Sequence, residues 1–134
     1  MPIKITERMR KFINERNSLG HVATCDDNKR PNIAPKAILA VGESTLLYAD
    51  LFTDRTADNI RLNSQMAVAF INPSQCNGYQ FKGQANIIAR GAAFEVAKKK
   101  FAELGFKEPV YAIELDVDEI FFFEQGPEAK LEAA

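Results

Sequence analysis

Two periods of apolar and polar positions alternate along the chain and divide it into elements. Ile5, Met9, Phe12 and Ile13 recur with helical spacing behind Thr6, which predicts a capped amphipathic helix that stops where Asn17 and Gly20 favour left-handed backbone. From His21 the spacing becomes that of strands. His21–Cys25 and Pro31–Val41 flank the turn formers Asp26-Asp27-Asn28-Lys29, predicting an antiparallel hairpin. Further strands are expected over Thr45–Tyr48, Met66–Ile71 and Tyr79–Ala89 (with Gly83 at a bulge or close approach), and alternation over Val110–Val117 leads to Ile120–Phe123, which ends the last strand, for six or seven strands in all. A short helix is expected over Thr56–Asn63, capped by Thr56 or Asp54. A longer one over Gly91–Leu104 carries Phe94, Ala97, Phe101 and Leu104 and ends at Gly105. Antiparallel strands without strand–helix–strand alternation argue against a doubly wound sheet and for a small β-barrel or α+β roll.

Composition narrows the function classes. A chain of 134 residues with 46% hydrophobic residues makes one domain, expected over 1–125 with 126–134 as a frayed tail, and it can bury a core without disulfides or metal. With 17 basic and 18 acidic side chains, no global field recruits nucleic acid or anionic lipid. The longest apolar run, Met66–Ile71, is too short to span a bilayer and the N-terminus lacks a signal-like segment, so a cytoplasmic location is expected. Cys25 and Cys76 are expected as reduced, half-buried thiols, and with His21 as the sole histidine no metal site is expected. Phosphate-loop, nucleophile-elbow and metalloprotease motifs are all missing, so any chemistry points to a bound cofactor.

Three segments carry candidate chemistry. At Asp50–Asn59, Arg55 and Thr56 stand where a loop enters a helix. That suits a phosphate, or else Thr56 only caps the helix while Arg55 pairs with Asp54 or Asp58. Within Pro31–Lys36 two prolines withhold donors from a ladder and leave a strand edge open. The amides of Asn32, Ile33 and Ala34 could then receive a planar polar ring, or the prolines and Lys36 simply protect an edge. Gly78–Gly83 places Gln80 and Lys82 on one strand face, the pattern of a site or of a solvated surface. The ten Phe and three Tyr read as core or subunit interface, because Phe121-Phe122-Phe123 must be covered on both sides of its strand.

Taken in order, Ala23-Thr24, Pro31-Asn32-Ile33-Ala34-Pro35-Lys36, Tyr48-Ala49-Asp50-Leu51, Arg55-Thr56, Asn59, Asn63, Val68 and Gly78-Tyr79-Gln80-Phe81-Lys82-Gly83 resemble the pyridoxamine 5'-phosphate oxidase-like family of FMN-binding split β-barrels. The resemblance spans residues 4 to 125. It implies a mainly β fold, a homodimer of six-stranded antiparallel split barrels with flanking helices and FMN at the subunit interface. Lys36, Arg55 and Thr56, helped by Asn59, would hold the phosphate. Asn32, Ile33, Ala34 and Pro35 would meet the ring and ribityl chain, Ala49 and Asp50 would line the ribityl side, and Gln80 would approach the ring.

Departures from the family pattern bear on the reaction. The true oxidases carry a basic, histidine-containing C-terminus, whereas this chain runs Glu124-Gln125-Gly126-Pro127-Glu128, and it has Arg55-Thr56 where they have two adjacent basic residues. The leading reading is an FMN-dependent oxidoreductase passing electrons from a small-molecule or protein donor to a small acceptor. The alternatives are a non-catalytic FMN carrier or electron-transfer module, a deazaflavin-binding relative, or a cofactor-free interaction dimer.

Overall fold

The computed structural model describes residues 3–14, 19–50, 55–123 and 129–130. Seven strands and three helices follow one another as α1 (Glu7–Asn14), β1 (Leu19–Cys25), β2 (Pro31–Ala40), β3 (Thr45–Asp50), α2 (Arg55–Leu62), β4 (Gln65–Asn72), β5 (Asn77–Ile88), α3 (Ala92–Glu103), β6 (Tyr111–Phe123) and β7 (Ala129–Lys130). The strands are hydrogen-bonded in the order β3-β2-β1-β4-β5-β6-β7, all antiparallel, and a β3–β6 pairing closes the first six into a barrel. This is the mainly β, six-stranded barrel expected from the sequence. The tail lies outside the described residues except for β7, which pairs with Phe121 and Phe122.

Alternation along each strand fills the barrel. Val22, Ile38, Leu46, Phe70, Phe81, Ile113, Leu115 and Ile120 point inward and are buried. The expected bulge is present, with the β5–β6 register shifting between Lys82 and Gly83. Gly83 is required there because a Cβ would fall on the carbonyl oxygen of Asp116. The alternation over Val110–Val117 and the strand end at Ile120–Phe123 belong to a single 13-residue β6.

The helices seal the barrel from outside. In α1, Thr6 Oγ1 accepts from the Met9 amide at 3.2 Å, the expected cap, and Met9 and Ile13 are buried. Arg10 locks the helix to the end of β2 by donating to the carbonyls of Ala40 (3.2 Å) and Gly42 (2.8 Å). Helix α3 packs on β3 and β6 through Phe94, Ala97 and Phe101, and Gly105 ends it with φ of 89°. The short helix expected near Thr56 is a two-turn α2 that packs against β1, β2 and β5. Thr56 is its second residue and Asp54 lies outside the described residues. Cys25 is half-buried as expected. Cys76 is exposed rather than half-buried, since it stands in the turn between β4 and β5, where its φ is positive.

One feature of the barrel positions a site. Strand β2 pairs with β1 from Pro31 to Ala37, but with β3 only from Ile38 to Ala40. Among the described residues, the second edge of Pro31–Ala37 has no strand beside it, and the barrel is split there.

Candidate functional site

The hairpin register decides what the open edge of β2 offers. Asp26 N donates to Arg30 O at 3.1 Å, and the Asp26 carboxylate is itself occupied by the amides of Asn28 (2.8 Å) and Arg30 (2.9 Å). That phase makes Thr24–Asn32, Val22–Ala34 and Gly20–Lys36 the hydrogen-bonded pairs, so Pro31, Ile33 and Pro35 turn their backbone groups to the open edge. Both prolines therefore withhold their missing donors from the open side, as expected. Of the three amides considered from sequence, those of Asn32 and Ala34 belong to the β1 ladder and only that of Ile33 faces outward. Between Pro31 and Pro35 the edge presents three carbonyls and one N–H.

The even-numbered side chains of β2 point the other way, into a polar seam beneath α2. Asn32 Nδ2 donates to Thr56 Oγ1 at 3.2 Å, and Asn59 Nδ2 donates to Thr24 Oγ1 at 3.1 Å. Thr24, Thr56 and Asn59 are buried. Lys36 Nζ meets Asp50 Oδ1 at 3.2 Å and lies over the Tyr48 ring. The lysine side chain is 14% exposed and the aspartate 1%. Burial of this kind is tolerated because each charge faces a partner.

Two clefts flank the open segment. At its start, a cleft of about 250 Å³ is lined by Arg30, Asn32, Arg55, Asn59 and the carboxylates of Asp26 and Asp58. Asp26 is taken up by backbone amides and Asp58 pairs with Arg61 at 3.3 Å. Neither Arg30 nor Arg55 enters an ion pair among the described residues, so the cleft keeps two guanidinium groups for an anion. At the far end, a cleft of about 260 Å³ is lined by Pro35, Lys36, Ala49, Asp50 and the apolar Leu19, Phe101 and Phe106. From Pro31 to Pro35 the strand spans about 13 Å. A polar, cationic end and an apolar end are thus joined by an acceptor-rich edge.

Ten of the eleven candidate residues belong to the elements that frame this edge, with Asp50, Thr56 and Asn59 buried beneath it: Asn32, Ile33, Ala34, Pro35 and Lys36 on β2, Ala49 and Asp50 on β3, and Arg55, Thr56 and Asn59 on α2. Lys36 is not beside Arg55 but at the opposite end, engaged with Asp50. Gln80 stands apart on the outer face of β5, paired with Ala69 and Phe121, three strands away from β2 across the sheet. Sequence reasoning did not single out Arg30. Its signal is positional, since the residue that closes the β1–β2 turn heads the open strand. Among the described residues no group of three or more metal-ligating side chains occurs, and no helix is long and apolar enough to cross a membrane.

Comparison with known proteins adds to this geometry. The family model described as pyridoxamine 5'-phosphate oxidase matches residues 5–124. The crystal structure of HupZ from Group A Streptococcus is 34% identical, with a TM-score of 0.84 over 93% of this chain and 98% of that one. An FMN-binding protein from Syntrophomonas wolfei shares the fold at 17% identity (TM-score 0.74, 88% of this chain and 85% of that one). A pyridoxamine 5'-phosphate oxidase-related, FMN-binding protein from Nostoc punctiforme shares it at 14% (TM-score 0.67, 97% and 91%). No curated protein matches the chain.

Proposed function

We propose that this chain, which belongs to the pyridoxamine 5'-phosphate oxidase family, binds FMN along the open edge of β2 and serves as a flavin oxidoreductase. The observation that carries the reading is the pairing of Arg30 and Arg55 in a cleft at the head of a strand segment that has lost its neighbour. An elongated ligand with a phosphate at one end and a flat ring at the other matches that surface, because the cations and the apolar walls sit at opposite ends of one strand.

In this arrangement Arg55 and Arg30 hold the phosphate. Asn59 contributes from α2, and Thr56 keeps Asn32 in place beside it. The edge groups of Pro31, Ile33 and Pro35 meet the ribityl chain and ring, and Ala34 leaves room for them. Ala49 and Asp50 line the far side, where Lys36 sets the electrostatic environment of the ring. Bound FMN supplies reversible electron transfer between a reduced donor and an acceptor, and the protein contributes position, charge and shelter from water.

A homodimer completes the reading. The outer sheet face carries the small side chains Ala23, Ala67 and Ala69, framed by Ile33, which is 70% exposed, and Ile71, which is 40% exposed. A flat face with small residues at its centre admits a second sheet closely. A second copy docked there would bring its Gln80 to the ring, a role that the three-strand separation denies Gln80 within one chain. Sedimentation should give a dimer that Ile33→Glu dissociates, and a monomeric unaltered protein would refute this part.

The deciding experiment is an absorbance spectrum of the protein after FMN addition and desalting. Retained flavin bands support the site, and their reduction by NADH or NADPH in stopped flow separates an oxidoreductase from a carrier. Arg55→Ala should weaken FMN binding by about 1–3 kcal/mol, the scale of a hydrogen bond to a charged group. If flavin is retained equally by Arg55→Ala and Arg30→Ala, the phosphate lies elsewhere.

A further inference from the structure

A third cleft, of about 280 Å³, lies between α1 and the start of β5 and shares no lining residue with the two beside β2. Its walls divide by chemistry. Phe12, Tyr79 and Phe122 form an aromatic shelf, with Phe12 edge-on to Tyr79 at 5.3 Å between ring centroids and Phe122 tilted against Tyr79 at 5.5 Å. Arg8 and Lys11, three residues apart on α1, overhang that shelf. Arg10 is committed to β2 by its two carbonyl bonds, whereas among the described residues Arg8 and Lys11 enter no ion pair. Among the described residues no carboxylate lines the cleft.

An orphaned acceptor supplies the third element. Asn77 lines the cleft, its Nδ2 donates to Gln75 Oε1 at 3.3 Å, and its Oδ1 is buried without a donor. Leaving such an oxygen unsatisfied costs free energy that a ligand bearing an N–H or O–H would return. Two like charges on one helix face also repel each other until an anion joins them.

We propose that this cleft is a second binding site, independent of the flavin reading, for a single-ring aromatic carboxylate that carries a hydrogen-bond donor. The carboxylate lies against Arg8 and Lys11, the ring rests on the Phe12–Tyr79–Phe122 shelf, and the half-buried Asn77 side chain turns toward the cleft so that its Oδ1 meets the donor. At about 280 Å³ the cleft sits at the lower limit of small-molecule sites, which favours one ring over a dinucleotide.

The test is a titration of the ¹⁵N-labelled protein with 4-hydroxybenzoate, followed by heteronuclear NMR. Saturable shifts are expected at residues 8–12, 75–79 and 122, with a Kd of about 1 mM or tighter. Benzoate, which lacks the donor, should bind several-fold more weakly, and neutral 4-hydroxybenzyl alcohol should not saturate. The double variant Arg8→Gln/Lys11→Gln, altered only at exposed positions, should lose at least about tenfold in affinity. Shifts that fail to saturate or that map to β2 would overturn the site. So would equal binding by the neutral alcohol or by the double variant, and the ligand comparison on unaltered protein holds even if the variant misfolds.

Discussion

The closed and open sides of the barrel are built on opposite principles. On the closed side, β4, β5 and β6 pair over long registers around Phe70 and Phe81, whose rings meet edge-on at 6.0 Å and have no exposed surface. On the open side, β2 parts from β3, α2 covers the gap with Asn32–Thr56 and Thr24–Asn59, and Lys36–Asp50 links β2 to the end of β3. Four of the five buried polar residues described, Thr24, Asp50, Thr56 and Asn59, lie on this side. Apolar packing stabilises in proportion to area removed from water, whereas a buried polar pair contributes little net and mainly avoids a penalty. The closed side therefore carries the stability, and the open side spends part of it to hold a strand edge away from its neighbour.

That contrast can be broken by substitution, and the largest effect is expected on the closed side. Gly83→Val should prevent a cooperative native state, since its side chain would overlap the backbone of Asp116. A thermal midpoint near that of the unaltered protein would show that the bulge yields. Phe81→Ala should cost about 3–5 kcal/mol in urea unfolding, the range for emptying an aromatic core position. A loss near 1 kcal/mol would mean that the core collapses into the space and the two sides are less different than described.

Smaller effects sharpen the open side. Asp50→Ala should cost about 2–4 kcal/mol because it leaves the Lys36 ammonium in a mostly buried place. Adding Lys36→Met should recover part of that loss, and a double-mutant cycle with no coupling would dismiss the pair as a structural unit. Thr56→Val keeps the shape and removes the acceptor for Asn32. It should lower stability by about 1 kcal/mol, and an unchanged urea midpoint would show that Asn32 finds another partner. Arg55→Ala should leave stability within about 0.5 kcal/mol, since the side chain is exposed, while FMN retention falls. A large stability loss there would reassign Arg55 from ligand binding to the scaffold.

Much of this was legible along the chain. Turn formers, one short apolar run and period-2 alternation together located the barrel strands, helical spacing located α1 and α3, and Gly83 marked the bulge, because these signals reflect which side of a local element faces the core. Pro31 and Pro35 announced an unpaired edge, since two missing donors with the same parity must face away from the ladder. Capping was less legible: Thr56 has the composition of a cap, but the approach of Asn32, 24 residues earlier in sequence, takes its hydroxyl into the polar seam.

What the sequence by itself determined is therefore the class of fold, the approximate places of the strands and the residue types available for binding a phosphate and a ring. Only the tertiary structure decided how those residues are grouped. Strand register put Arg30 with Arg55 and sent Lys36 to Asp50. The same register kept the amides of Asn32 and Ala34 in a ladder, the strand order set Gln80 three strands away from β2, and the docking of α1 brought Arg8 and Lys11 to a cleft with Asn77. The physical reason is that alternation and propensity act within a few residues, while a site is made by contacts whose partners the chain brings together only when the barrel closes.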